Sequence, residues 1–298
     1  MTDAGRPCWK LLVKSRCFDS YRLPTDRAQK YNSAMCRAKR APGSGVFLFA
    51  FLMCAHGSLP AQVVTRSSNA AARVPFVGCE SDGQGGAVKA PSGQSKTLAI
   101  PAEAAQRLAY YKAEGIGVLA PRGWHCFGTY GSSGATLYVS PDPIKGADLF
   151  STSWNGFAGP VIQISSMDGD TSGRFAVAKT IARVFPAHKA FVQAVIAEGI
   201  EPASSFPFGP YAGDTLKYPT KDIVEFLTPA HTDGLGTASW LRKNDSPISG
   251  AAILFGKEPN LLQLSVRLPQ QASDLTQFII QQTEREAPHF NAGKDSQK

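Results

Sequence analysis

The chain has no apolar run long enough to cross a membrane. Its longest unbroken apolar run covers residues 46–55, which is ten residues, whereas a membrane-spanning helix needs about 20. We therefore expect no stable membrane span in the mature protein.

Excess positive charge is missing from most of the chain. The formal net charge is +8, but ten of the 31 Lys and Arg and only three of the 23 Asp and Glu lie in residues 1–61. Residues 62–298 therefore hold 21 cationic and 20 anionic side chains, a net charge of +1. Nucleic-acid binding relies on clustered Lys and Arg, so we expect no nucleic-acid partner.

The basic residues of the leader are arranged as in a secretory signal peptide. Three of them, at residues 37, 39 and 40, precede the apolar run by a few residues, and small residues follow it at positions suited to a signal peptidase. We expect residues 35–61 to be the signal peptide, with cleavage after Ala61 or after Gly57. The protein is then exported, to the periplasm or to the extracellular space.

Met35 begins a leader of ordinary length, whereas a start at Met1 places 45 residues before the apolar run. We therefore interpret residues 1–34 as a non-native or disordered extension.

Cysteine is scarce beyond the leader. Of the six cysteines, only Cys79 and Cys126 follow residue 61. Because export places a protein in an oxidising compartment, we expect these two residues to form one disulfide. In the chain-entropy account, closing a loop of about 48 residues stabilises a fold by roughly 3–4 kcal/mol.

Hydrophobic periodicity and turn residues predict the elements of the remaining chain. Residues 62–97 are rich in Ser, Ala, Gly and Pro and are interpreted as an extended lead-in, with residues 74–79 along a sheet edge. Helices are predicted over residues 101–114, 173–185, 187–198 and 273–286. Strands are predicted over residues 116–120, 124–130, 135–140, 160–166, 223–228, 235–241, 251–255 and 261–268.

Residues 98–287 are thus expected to form a single α+β domain, followed by a flexible tail over residues 288–298. The strands occur in groups, which favours a largely antiparallel sheet flanked by helices. This element order resembles exported α/β/α-sandwich domains of the PsbP type. The stretches 123–126 and 202–211 resemble bacterial exported proteins of unknown function, and the resemblance implies no activity.

Candidate catalytic and metal sites are weak in the sequence. His125 and Cys126 are neighbours in a predicted strand, so their side chains point to opposite faces. The turn at Ser132 and Ser133 joins two strands, whereas a nucleophile elbow joins a strand to a helix. The histidines show no metal-ligand spacing and no dinucleotide or phosphate motif is present. We therefore predict no catalytic residues, no metal and no cofactor.

Two groups of residues are candidates for ligand binding. Trp124 and His125 are interpreted as lining a pocket. Between Pro202 and Tyr218, prolines exclude regular structure, and a rigid aromatic loop there offers the rings of Phe206, Phe208 and Tyr211. Such rings bind a partner at low entropic cost.

The sequence therefore indicates a soluble exported protein that acts as a non-catalytic binding or envelope-associated module, with an envelope protein, peptide or glycan as partner. The alternative is an extracytoplasmic hydrolase built from Ser132 or Ser133, His125 or His231, and an acid such as Asp233.

Overall fold

The computed structural model describes residues 71–287. The predictions for residues 1–34, 35–61 and 288–298 lie outside this range, as does the beginning of the predicted lead-in.

The described residues contain strands, α-helices and short 3-10 helices. The strands are β1 (Ala72–Val74), β2 (Phe76–Gly78), β3 (Ser81–Gly83), β4 (Lys96–Leu98), β5 (Leu108–Ala113), β6 (Ile116–Pro121), β7 (His125–Gly131), β8 (Gly134–Ser140), β9 (Val161–Met167), β10 (Thr215–Thr220), β11 (Ile223–Thr228), β12 (Ile248–Phe255) and β13 (Asn260–Arg267). The helices are α1 (Ala102–Arg107), α2 (Gly146–Leu149), α3 (Arg174–Val184), α4 (Lys189–Ala197) and α5 (Thr276–Glu286), and the 3-10 helices are Pro186–His188, Ala203–Ser205 and Gln270–Leu275. None of the helices within residues 71–287 has the length and apolarity that a membrane crossing demands.

A large sheet of eight strands forms the centre of the fold, in the order β10-β11-β12-β13-β9-β8-β7-β3. Its neighbouring strands are antiparallel except for β3, which runs parallel to β7. A second sheet of three strands has the order β2-β5-β6, and β1 pairs with β4. The predicted α+β class with a largely antiparallel sheet is confirmed.

Side chains of the central strands alternate between the two faces of the large sheet, which creates two cores. In β13, Leu262 and Leu264 join a core that also contains residues of β5, β6 and α5. Leu261 joins the other core with residues of α3 and α4. One face is therefore covered by α3 and α4, and the other largely by the three-stranded sheet with α5, so that helices flank the large sheet only in part.

The predicted disulfide is confirmed. Cys79 and Cys126 are bonded, with their Cα atoms 5.5 Å apart. Cys79 follows β2, one of the two edge strands of the three-stranded sheet, and Cys126 lies in β7 of the large sheet. The bridge therefore joins the predicted edge segment to the central sheet.

The predicted helix over residues 101–114 is wrong in its second half, because α1 ends at Arg107 and β5 begins at Leu108. Strand β5 lies between β2 and β6, so both its edges are hydrogen-bonded, and residues on both its faces are buried. Tyr110 and Tyr111 are consequently both buried, and their hydroxyls donate to Glu286 Oε2 and to the carbonyl oxygen of Pro121, each at 2.8 Å. Aromatic residues suit such a buried strand better than a one-sided helix.

The predicted strand over residues 235–241 is also wrong, since residues 235–240 form turns. Their backbone donors bond to side chains: the Leu235 amide donates to Asp214 Oδ2 (2.7 Å) and the Gly236 amide donates to Thr228 Oγ1 (3.0 Å). The side chains of Asp214 and Thr228 thus accept the backbone hydrogen bonds that a neighbouring strand would accept in a sheet.

Strand β10 was missed by the sequence analysis, which treated its first residues as part of a loop. It is an edge strand of the large sheet, it contains Pro219, and its register with β11 shifts between Lys217 and Thr220. Proline is typical of edge strands and irregular positions, so its presence weakened the strand pattern.

Candidate functional site

Two long loops meet at one end of the large sheet. Residues 141–160 connect β8 to β9, and residues 229–247 connect β11 to β12. At their junction the Phe157 amide donates to the Trp240 carbonyl oxygen (2.8 Å), and the Arg242 amide donates to the Phe157 carbonyl oxygen (2.9 Å). The two loops therefore form one continuous surface.

Gly156 permits this close approach. Its φ is 93°, a backbone conformation that favours glycine, and a Cβ atom there would collide with the Trp240 carbonyl oxygen. Asn244 adds a further link by donating from Nδ2 to the Ala158 carbonyl oxygen at 2.6 Å.

A buried arginine supports the junction from the sheet. Arg267 ends β13 and is only 1% exposed. Its Nη1 donates to the carbonyl oxygens of Ala158 (3.1 Å) and Gly159 (3.2 Å), and its Nη2 donates to that of Arg242. Burial, together with the charge of Arg242, lowers the pKa of Arg267 to about 10. The guanidinium thus remains charged at neutral pH, and no carboxylate within residues 71–287 forms a salt bridge with it.

Four aromatic rings pack together on the junction. The rings of Trp154 and Trp240 lie 4.6 Å apart between centroids, and Phe157 lies edge-on to Trp154 at 5.4 Å. Tyr138, which projects from β8, contacts Trp154 and Phe157 at 6.2 and 5.4 Å. Trp240 nevertheless remains 48% exposed. The rings fix one another's orientation, and pre-organised rings bind a ligand at low entropic cost.

Two cavities adjoin these rings. Trp154 and Phe157 line a cavity of about 300 Å³, and Trp240 lines a second cavity of about 680 Å³. Asn155 lines both. We call Trp154, Asn155, Phe157 and Trp240 the tryptophan surface. Further polar groups at the cavities come from Ser151, Ser153, Thr237 and Ser239.

Charged side chains border the second cavity. Lys243 Nζ lies 2.8 Å from Asp233 Oδ1, which forms an ion pair. Arg242 is exposed and donates from Nη1 to the neutral amide oxygen of Asn155 at 3.1 Å. Within residues 71–287, no carboxylate forms a salt bridge with Arg242.

The sequence-predicted pair Trp124 and His125 lies elsewhere. Trp124 is half-buried and packs against the core that also contains residues of β5, β6 and α5, and its amide donates to Tyr111 Oη at 3.0 Å. His125 is exposed at the start of β7. Neither residue lines the two cavities beside the tryptophan surface, and their binding role stays a prediction.

The predicted aromatic loop is seated against α3 and α4. Phe206 is 1% exposed, within the core of that face. The Arg183 guanidinium lies 4.1 Å from the Tyr211 ring centroid, and Lys189 Nζ lies 5.2 Å from that of Phe208. Of the three rings, Phe208 is the exposed one, at 50%. Its role in binding stays a prediction.

The residues proposed for a hydrolase are dispersed. Ser132 Oγ lies 3.2 Å from Ser172 Oγ and accepts from Gln84 Nε2 at 3.4 Å. His231 Nε2 lies 2.9 Å from Asp245 Oδ1, at the surface. Among the hydrogen bonds of residues 71–287, none joins a serine hydroxyl to a histidine ring. Residues 71–287 also contain no group of three His, Cys, Asp or Glu side chains arranged to hold a metal ion.

Trp154 and Trp240 were not singled out by the sequence analysis. Each follows a serine in a loop rich in small and polar residues, within the sequences Ser153-Trp-Asn155 and Ser239-Trp-Leu241. A large aromatic residue outside any periodic segment was the available signal. Its partner on the other loop was not visible from the sequence, because the two loops are brought together by the order of the strands.

No family model matches the chain, and no curated protein or solved structure matches it either.

Proposed function

We propose that the protein is an exported, non-catalytic binding module whose ligand is a carbohydrate held on the tryptophan surface. The observation that carries the proposal is the exposed ring of Trp240, packed against Trp154 and bordered by two cavities.

Carbohydrate chemistry suits such a surface. A pyranose ring has a face of C–H groups and a rim of hydroxyls. The flat face of an indole carries partial negative charge, so it attracts the C–H groups of the sugar. The polar residues around the indole can form hydrogen bonds with the sugar hydroxyls. Asn155 and Ser239 provide such polar groups beside the rings. Ligand sites commonly combine apolar walls with a few placed polar groups.

A binding role rather than hydrolysis is supported by the surroundings of the serine candidates. Ser132 bonds to Gln84 and Ser172 and lacks a hydrogen bond to a base such as His, whereas nucleophilic catalysis requires one. The tryptophan surface needs no such contact to bind a sugar.

Export is supported by the order of basic, apolar and small residues in the leader and by the disulfide. Mass spectrometry of the mature protein from its native host tests it: we expect an amino terminus at Gln62 or Ser58. A protein that retains Met1 would contradict export. The resemblance of the sequence to bacterial exported proteins supports a ligand in the bacterial envelope as part of this proposal.

Binding is tested with an immobilised panel of neutral and acidic oligosaccharides. We expect Trp240→Ala to weaken binding about 30-fold, since truncation of a central aromatic contact costs about 2 kcal/mol. Tyr218→Ala is the matched control, because Tyr218 is an aromatic residue of β10 that is 51% exposed, as Trp240 is 48% exposed, and it lines neither cavity. Equal binding by both variants, or no binding by the unaltered protein, would refute the proposal.

A further inference from the structure

The backbone around Leu241 presents a ring and a cation side by side. Leu241 is 1% exposed and points into the core. The residues on either side of it, Trp240 and Arg242, are both exposed, and both line the second cavity. The Cα atoms of residues two apart in the chain are separated by at most roughly 7 Å, so one sugar can contact both side chains.

The charge on this side of the cavity is unbalanced. Lys243 is neutralised by Asp233 at 2.8 Å, whereas the side chain of Arg242 bonds the neutral amide of Asn155. Beneath it, the buried guanidinium of Arg267 bonds main-chain carbonyl oxygens. Water screens a buried charge poorly, so both cations favour an anion in the cavity.

We propose that the ligand is an acidic oligosaccharide, and that one sugar stacks on Trp240 while its carboxylate pairs with Arg242. This inference rests on the proposed carbohydrate-binding function and specifies its ligand class. A guanidinium matches a carboxylate because its planar nitrogens donate two parallel hydrogen bonds. Arg242 is therefore the residue that determines specificity, and Trp240 contributes to binding whether or not the sugar is charged.

The test compares two probes by calorimetry on the full chain: a short oligomer of glucuronic acid, and the same oligomer with its carboxyl groups reduced to alcohols. We expect the acidic oligomer to bind about tenfold more tightly, as one charge-assisted hydrogen-bonded pair provides. The preference falls when salt rises from about 50 to about 300 mM, because exposed charges are screened.

Arg242→Gln is expected to abolish the preference and to leave the affinity for the neutral oligomer unchanged. Its main-chain carbonyl, which Arg267 holds, is still present in this variant. Lys221→Gln removes the same charge from an exposed side chain and serves as the control. It should retain the full preference.

The two proposals fail in different ways. If the protein binds both oligomers equally, or Arg242→Gln keeps the preference, the acidic ligand is refuted while carbohydrate binding stands, provided that Trp240→Ala weakens the neutral oligomer. If a sulfated oligosaccharide binds and the carboxylated one does not, the proposed pairing of a carboxylate with Arg242 is refuted. If neither oligomer nor any sugar of the panel binds, both proposals fall.

Discussion

Arg267 Nη1 donates to the carbonyl oxygen of Ala158 at 3.1 Å. The bond joins the end of a central strand to the loop that carries Trp154. A second donor of the same guanidinium bonds the carbonyl oxygen of Arg242, on the loop that carries Trp240. One buried side chain thus fixes both halves of the tryptophan surface, and a cation in this position is expected to act on stability and on binding together.

Replacement of this arginine removes the common support of the two loops. Arg267→Met leaves buried carbonyl oxygens without a donor, which is expected to lower the free energy of unfolding by about 3 kcal/mol. Urea unfolding measures the change. Arg73→Met, at an exposed position of β1, is the control and should unfold like the unaltered protein. Equal urea midpoints for the two variants would contradict the supporting role.

Gly156→Ala tests the junction from the loop side. Gly156 and Gly199 both have positive φ, 93° and 69°, but the space around a Cβ is open only at Gly199. Each substitution carries backbone strain of about 1–2 kcal/mol. Gly156→Ala additionally forces the loops apart, which we expect to cost roughly 1–3 kcal/mol more and to weaken oligosaccharide binding. If both variants lose the same stability and both bind normally, the close approach at Gly156 is unimportant.

The disulfide is expected to contribute strongly to stability. Replacing both Cys79 and Cys126 by Ala should lower the free energy of unfolding by roughly 3–4 kcal/mol, because the unfolded chain regains the freedom of the closed loop. Urea unfolding with and without reductant is the measurement. Reduction should destabilise the unaltered protein and leave the double variant unchanged; an unaltered protein indifferent to reductant would overturn this prediction.

Tyr138 makes stability sensitive to alkaline pH. Burial raises the pKa of its phenol to about 12, above the value of about 10 in an unfolded chain. Between these values the unfolded state releases a proton that the folded state retains, so stability falls as pH rises from 10 towards 12. We expect Tyr138 to account for about 1 kcal/mol of loss between pH 9 and pH 11. Tyr138→Phe should show that much less loss, measured by urea unfolding at both pH values.

The sequence was sufficient to predict those elements whose structure is determined by their own local pattern of residues. The hairpin of β7 and β8 was predicted because aromatic and apolar runs flank a Gly-Ser-Ser-Gly turn. Helices α3 and α4 were predicted because their apolar residues recur at helical spacing. The disulfide was predicted because only two cysteines follow residue 61 and because export would place them in an oxidising compartment.

The features that the sequence did not predict depend on tertiary contacts. The residues after Arg107 have an ambiguous apolar pattern, and only the strands on both sides make β5 a strand. The backbone of residues 235–236 is satisfied by Asp214 and Thr228, contacts that no local pattern indicates. The tryptophan surface likewise depends on strand order, which places Trp154 against Trp240.

The edge strand β10 has a consequence for solubility. An exposed edge invites the strand of another molecule, because its unpaired N–H and C=O groups remain available. In β10, Pro219 has no N–H to offer, and the register shift between Lys217 and Thr220 bends the edge out of regular pairing. On the β10 side, the eight-stranded sheet therefore ends in a strand that resists growth by self-association.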